Sequence, residues 1–216
     1  MRLFGYKMTS DTGFAPNPFY GSLTLATCKP GIRRTKELGD WIAGFTSGQL
    51  NGDAVGAERL VFLMKVDEKK SIAEYFLDPR FKNKIPRMNG DAVSRAGDNI
   101  YRPLRRNAAA PQHFEQVLNP HHWDDVGSCV GPGPSKGHDV SGLFVLVART
   151  FAYFGGNALV IPPRLRPEVP RGQSPNGSRT KDERRSGAFI EYVLGRAAKR
   201  GEIGKPHDWP GERHRC

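Results

Sequence analysis

Apolar residues gather along this chain in short runs, each closed by glycine, proline or a polar cluster, and that spacing predicts strands more than long helices. Arg2 to Met8 alternates loosely and is read as a first strand. Leu23 to Cys28 lies between Gly21 and Pro30, and Asp40 to Thr46 ends at Ser47-Gly48. Leu60, Val61, Phe62, Leu63 and Met64 follow one another within Arg59 to Val66, the pattern of a strand buried on both faces. Ser71 with Glu74 forms a capping-box signature, so a short helix is expected from there to about Phe76. Residues 78–111 are polar, rich in Gly, Pro and Asn, and read as binding loops, a lid or disorder. Gln112 to Leu118 is read as a helical turn, and residues 131–138 as a loop. Strands are expected again from Gly142 to Phe151, on to Phe154, and at Ala158 to Ile161.

Composition changes after Pro162. Residues 163–181 are basic and rich in Pro, Gly and Ser, which predicts a linker. Beyond it Ser186, Phe189, Ile190, Val193, Leu194 and Ala197 recur at helical spacing, predicting an amphipathic helix over about 182–200 whose apolar face must be buried. The expected organisation is therefore a core domain over 1–162, a linker over 163–181, and a helix with a basic tail over 182–216. The expected fold is α+β: a small barrel or strongly bent mixed sheet of roughly five to seven short strands with one or two short helices, plus the C-terminal amphipathic helix as an appendage.

A length of 216 residues suits one domain with an appendage, and 25 Gly with 17 Pro favour a loop-rich fold over a helical bundle. The formal charge of +11 changes the picture more, because a cationic protein gains affinity for polyanions as counterions are released. The plain alternative is that the charge only keeps the chain soluble. Cys28, Cys129 and Cys216 are too few and too scattered for a disulfide framework or a zinc knuckle. No apolar run approaches a span, and Lys7 interrupts the first residues before any signal-peptide core, so a cytoplasmic protein without a membrane partner is expected.

Several segments hold candidate chemistry. Residues 11–21 set Phe14, Phe19 and Tyr20 beside Asp11 and Asn17 on a backbone stiffened by two glycines and two prolines. Such a loop could stack on a base and bond its edge, or simply plug one end of a barrel. Lys29, Arg33 and Arg34 follow a strand end and could reach phosphate from a pocket rim. Cys28, beside Lys29, is either a nucleophile or a small buried hydrophobe. Lys82 follows Asp78-Pro79-Arg80-Phe81, where the carboxylate could orient the arginine. Asp98, Asn99 and Tyr101 form a polar turn ending in an aromatic, and Phe154 ends the last long strand before a glycine pair. His121 could act as an acid or base, whereas adjacent His121 and His122 suit one metal ion poorly, so no metal and no cofactor is expected.

In order along the chain, Gly13-Phe14-Ala15-Pro16-Asn17-Pro18-Phe19, Thr24-Leu25-Ala26-Thr27-Cys28-Lys29-Pro30, Gly39-Asp40-Trp41-Ile42, Asp78-Pro79-Arg80-Phe81, Gly97-Asp98-Asn99-Ile100-Tyr101 and Tyr153-Phe154-Gly155-Gly156 resemble the second nucleotide-modification-associated domain family. The resemblance covers roughly residues 1 to 162 and implies a role in DNA base hypermodification systems of phages and bacteria, without a reaction or a catalytic list. The strand order is also similar to PUA-like barrels of the EVE and ASCH kind, which take a flipped base into an aromatic pocket.

The expected ligand is DNA or a nucleotide with a modified base. Phe14, Asn17, Phe19, Asp98, Asn99, Tyr101 and Phe154 are the expected base-binding residues, with Lys29, Arg33 and Lys82 on phosphate. Were the protein an enzyme on modified bases or their nucleotides, Asp11, Asp78, Asp98 and His121 are the candidate acids and bases. A third reading makes it an interaction module that docks a modification enzyme through the C-terminal helix.

Overall fold

The computed structural model describes residues 1–122, 134–172, 174–200 and 204–209. The first half runs β1 (Leu3–Lys7), β2 (Leu23–Leu25), α1 (Pro30–Thr35), β3 (Trp41–Phe45), α2 (Gly48–Asn51), β4 (Leu60–Lys65), β5 (Glu68–Ser71), α3 (Ile72–Leu77) and α4 (Ala92–Arg95). It continues with β6 (Tyr101–Pro103), β7 (Phe114–Gln116), α5 (Pro134–Val140), β8 (Phe144–Ala148), β9 (Phe151–Tyr153), β10 (Ser178–Thr180) and α6 (Glu183–Arg200). One sheet has the order β10-β1-β3-β4-β9, a second β2-β8-β5, and β6 pairs with β7. Only β1 and β3 run parallel among these pairings.

Alternating side chains stack these elements in layers. From the larger sheet, Leu3, Ala43, Phe45 and Leu63 meet Phe189, Ile190 and Val193 of α6. From its opposite face, Tyr6, Ile42, Phe62 and Met64 meet Leu23, Leu25, Leu146 and Ala148 of the second sheet. Val145 and Val147, on the far face of β8, pack on Tyr75 of α3, Phe81, Tyr101 and Phe114. Both faces of β4 and β8 are therefore covered, which is why their runs read as unbroken apolar stretches. Gly44 sits where a β-carbon would overlap the Phe62 ring and the Met8 sulfur. Gly44→Ala is expected to destabilise the fold by about 1–3 kcal/mol through overpacking, read as a lowered urea midpoint with an unchanged slope.

Several expectations change. Among the described residues the strands close into no barrel; the architecture is mixed α+β with open sheets. The break lies at Arg149-Thr150, whose N–H groups both donate to Asp67 Oδ2 (2.7 and 2.9 Å), so the chain leaves the second sheet at β8 and enters the first at β9. The expected linker is partly built in: β10 adds an edge strand to β1. The buried Glu58 carboxylate receives Lys7 at 2.8 Å and a guanidinium nitrogen of Arg166. β5 is polar, Glu68-Lys69-Lys70-Ser71, and carries no strand signature, yet it pairs with β8. The helical turn expected over residues 112–118 is confined to the 3-10 turn Pro111–His113, with strand β7 following it, and α5 starts at Pro134 within the expected loop. Residues 131–133 of that loop, together with Trp123, Asp124, Asp125, Cys129 and Cys216, lie outside the described residues.

Candidate functional site

The backbone between β2 and α1 is tightly constrained. Cys28 has φ +52° and Lys29 φ +41°, two consecutive non-glycine residues in the left-handed region. Each costs about 1–3 kcal/mol and persists only where its surroundings impose it. Here Asp139 of α5 does so. Its Oδ1 accepts the Cys28 N–H at 2.6 Å, while its Oδ2 accepts the Tyr101 hydroxyl at 2.8 Å and lies 2.9 Å from His122 Nε2. Arg33 of α1, wholly buried, donates to the Cys28 carbonyl (2.8 Å), the Phe144 carbonyl (2.8 Å) and the Asp139 carbonyl. Burial pushes the Asp139 carboxyl up, but His122, Arg33 and Tyr101 outweigh it and hold it below the usual carboxylate range. Burial, with Asp139 adding to it, drives the Tyr101 phenol upward, so it stays a donor.

Asn119 sets the histidines. Its Oδ1 accepts the His121 N–H at 2.7 Å and its amide donates to the Gly97 carbonyl at 2.6 Å. Phe14 then packs on both imidazoles, with ring centroids 6.1 Å from His121 and 5.4 Å from His122. Thr27, fully buried before Cys28, has no hydrogen-bond partner for its hydroxyl among the described residues. Tyr6 lies beneath Lys29, whose ammonium stands 5.3 Å from its ring centre. Burial pushes the Tyr6 phenol up, and Cys28 and Asp11 nearby push it further.

A second polar network lies under β2. The Lys84 ammonium donates to the Asn17 carbonyl (3.0 Å), Asn17 Oδ1 (2.7 Å), the Ser22 carbonyl (3.0 Å) and Thr24 Oγ1 (3.1 Å). Thr24 donates to Asp98 Oδ2 at 2.5 Å and Tyr75 to Asp98 Oδ1 at 2.7 Å. Burial lowers Lys84 to about 8 and raises Asp98, the pairing offsetting only part of each. Asn17 and Asn99 direct their amides to the backbone carbonyls of Ala96, Tyr75 and Phe81.

A third cluster gathers where residues 204–209 return. Asp11 accepts the Tyr153 hydroxyl at 2.6 Å and the His207 N–H at 3.0 Å, and its own N–H donates to Asp208 Oδ2 at 2.9 Å. Burial raises the Asp11 carboxyl, and Asp208 adds to this. Half-buried Phe19 and Trp209 face one another with centroids 5.7 Å apart.

The expected residues thus separate. Cys28, Lys29, Tyr101, His121 and Phe14 come together around the turn, but Phe14 and Tyr101 are themselves buried and present no open ring face to a base. Asn17, Asp98 and Asn99 lie behind it, fully buried and bonded internally. Arg33 is corrected: it occupies no rim, because its guanidinium is sealed inside and donates to three carbonyls. Lys82 is exposed on the 3-10 helix Pro79–Lys84. Asp78 is tied to Arg80 (2.7 Å) and Lys70 (3.2 Å) at the surface, and Phe154 packs in the layer beneath α6. Sequence reasoning missed Asp139, His122, Lys84 and Thr24 as parts of these networks. Thr24 is one polar residue within an apolar run, and the other three stand in mixed polar segments where nothing local singles them out. Among the described residues no group of three or more His, Cys, Asp or Glu gathers as a metal site, and no helix is long and apolar enough to cross a membrane.

The fold and these networks define a mixed α+β domain of open sheets with a charged, buried framework behind one constrained strand-to-helix turn. The chain belongs to the nucleotide modification associated domain 2 family, whose model matches residues 1–213 and so extends past the motifs that first suggested it. No curated protein and no solved structure matches it. Family membership associates the chain with nucleotide modification.

Proposed function

We propose that this domain engages a modified base of DNA at the β2–α1 turn, as part of a phage or bacterial base-modification system. The carrying observation is the pair of left-handed residues Cys28 and Lys29, locked by Asp139, which presents a partly exposed Cys28 beside Lys29 and the Phe14-stacked His121. Strained residues of this kind gather at ligand sites and active sites, which supports this reading. Imidazole and cation suit a flat ring and a phosphate respectively. Recognition of an extruded base asks for stacking and polar groups around a flat ring and does not require a closed barrel.

One observation favours an enzyme as the second reading. A cysteine on a strand-turn-helix, together with a histidine 2.9 Å from a buried carboxylate, supplies the parts of nucleophilic catalysis. Docking through α6 has less room, because Phe189, Ile190 and Val193 are buried against the larger sheet.

The test uses duplex oligonucleotides, unmodified or carrying 5-hydroxymethyl pyrimidines or N6-methyladenine, with binding followed by anisotropy and products by mass spectrometry. For a reader, the wild type prefers one modified duplex, Cys28→Ser reduces that preference at least about fivefold, and no mass changes. For an enzyme, a mass change appears and vanishes in Cys28→Ser while binding survives. Discrimination or turnover that survives unchanged in a folded Cys28→Ser protein, or the absence of both in the wild type, removes the turn from consideration.

A further inference from the structure

The edge of the five-stranded sheet carries a row of cations that no ion pair among the described residues neutralises. β10 pairs with β1 on one side only, placing Arg179 opposite Phe4. Lys181 follows just after the strand, on the same side as Arg179 by the two-residue repeat of extended chain. Arg171 is held near the other end of β1, where its carbonyl accepts the Lys7 ammonium at 3.2 Å. All three side chains are exposed, and among the described residues none makes an ion pair. Their neighbours differ. Arg2 is spent on Asp40, and Lys7 and Arg166 on Glu58. Residues 163–185 hold seven Lys and Arg against three Asp and Glu.

The row also leads to the candidate site. Gly31, in the first turn of α1, abuts Pro175 and Asn176, so the loop entering β10 lies against the helix that starts beside Lys29. Edge strands often carry Lys and Arg merely to discourage pairing with another chain. That role accounts for Arg179 but not for Arg171, which lies outside any strand.

We propose that this edge docks the phosphate backbone of duplex DNA, with Arg171, Arg179 and Lys181 each meeting a phosphate and Lys29 closing the row at the turn. The proposal rests on the reading of DNA as the ligand, and it makes that ligand a polymer rather than a free nucleotide.

The experiment is a salt series of anisotropy titrations with a fluorescent duplex, comparing wild type with Arg171→Ala/Arg179→Ala/Lys181→Ala. A second triple, Arg87→Ala/Arg105→Ala/Arg106→Ala, removes exposed cations elsewhere. The expected result is a plot of log affinity against log salt that is shallower by about 3 in the edge variant, with equal weakening for all sequences. The second triple keeps the wild-type slope, and thermal melts of the edge variant match wild type. An unchanged slope, or an equal loss in the second triple, overturns the proposal. So does greater self-association of the edge variant without loss of DNA binding, the mark of a purely protective edge. Equal loss toward duplex RNA or anionic phosphatidylserine vesicles overturns the assignment to DNA. The two proposals fail separately: a shallower slope without any dependence of base discrimination on Cys28 sinks only the site at the turn, and the reverse sinks only this edge.

Discussion

Lys84→Met is expected to cost about 3–5 kcal/mol of folding stability, enough to remove a large part of the margin of a domain this size. The lysine is 1% exposed and is the cation that compensates Asp98 through Thr24. Its loss leaves a buried carboxylate with two hydroxyls and a backbone N–H as partners but no cation. Lys84→Met combined with Asp98→Asn removes both charges and is expected to recover most of that loss, since a neutral interior of similar volume is commonly as stable as a buried pair. Urea denaturation of the single and double variants measures this; equal losses in both would show that the charges do not compensate one another.

The same pair predicts a pH dependence whose sign follows from the shifts. The unfolded chain keeps its lysine protonated to near 10.5, whereas the folded chain releases the Lys84 proton near 8. Between those values the unfolded state binds more protons, so stability from this group rises with pH. Asp98 is raised, so its contribution is full below 3.8 and declines as pH climbs through its folded value. Both effects make the ionised pair most costly near neutrality. Wild type should therefore gain on the order of 3 kcal/mol relative to the double variant between pH 7 and 11, from a shift of this size.

Asp139→Ala is the second large expectation, about 3–5 kcal/mol, and it reaches the candidate site directly. It deprives Arg33 of its buried counter-charge and leaves the Cys28 N–H and the Tyr101 hydroxyl without their acceptor. The left-handed turn then loses what imposes it. Asp139→Asn keeps an acceptor for Cys28 and should cost about 1–3 kcal/mol, yet its amide cannot hold both His122 and Tyr101 as the carboxylate does. Base discrimination or turnover should fall in Asp139→Asn by at least tenfold while the protein remains folded, checked by circular dichroism beside the oligonucleotide assay. A folded Asp139→Asn protein with wild-type behaviour toward DNA would separate the buried framework from function.

The sequence by itself determined the parts whose physics is local. The capping box at Ser71 and Glu74 is present with both bonds, because a cap needs only neighbouring residues. The apolar runs at Leu23, Trp41 and Leu60 are strands, and the spacing of Phe189, Ile190 and Val193 marks the face of α6 that is buried. The ordered motifs carried the family. Tertiary structure alone decided the rest. Glu68-Lys69-Lys70-Ser71 is a strand because β8 offers it an edge, not because its residues favour one. Whether Arg33 meets phosphate or three backbone carbonyls is a question of burial, which no local pattern encodes. Asp139 stands 111 residues from Cys28, and only the packing of α5 on α1 brings its carboxylate to that amide. A charged side chain reads alike in sequence whether it faces water or fixes the backbone of a distant turn; the difference is the desolvation that folding imposes.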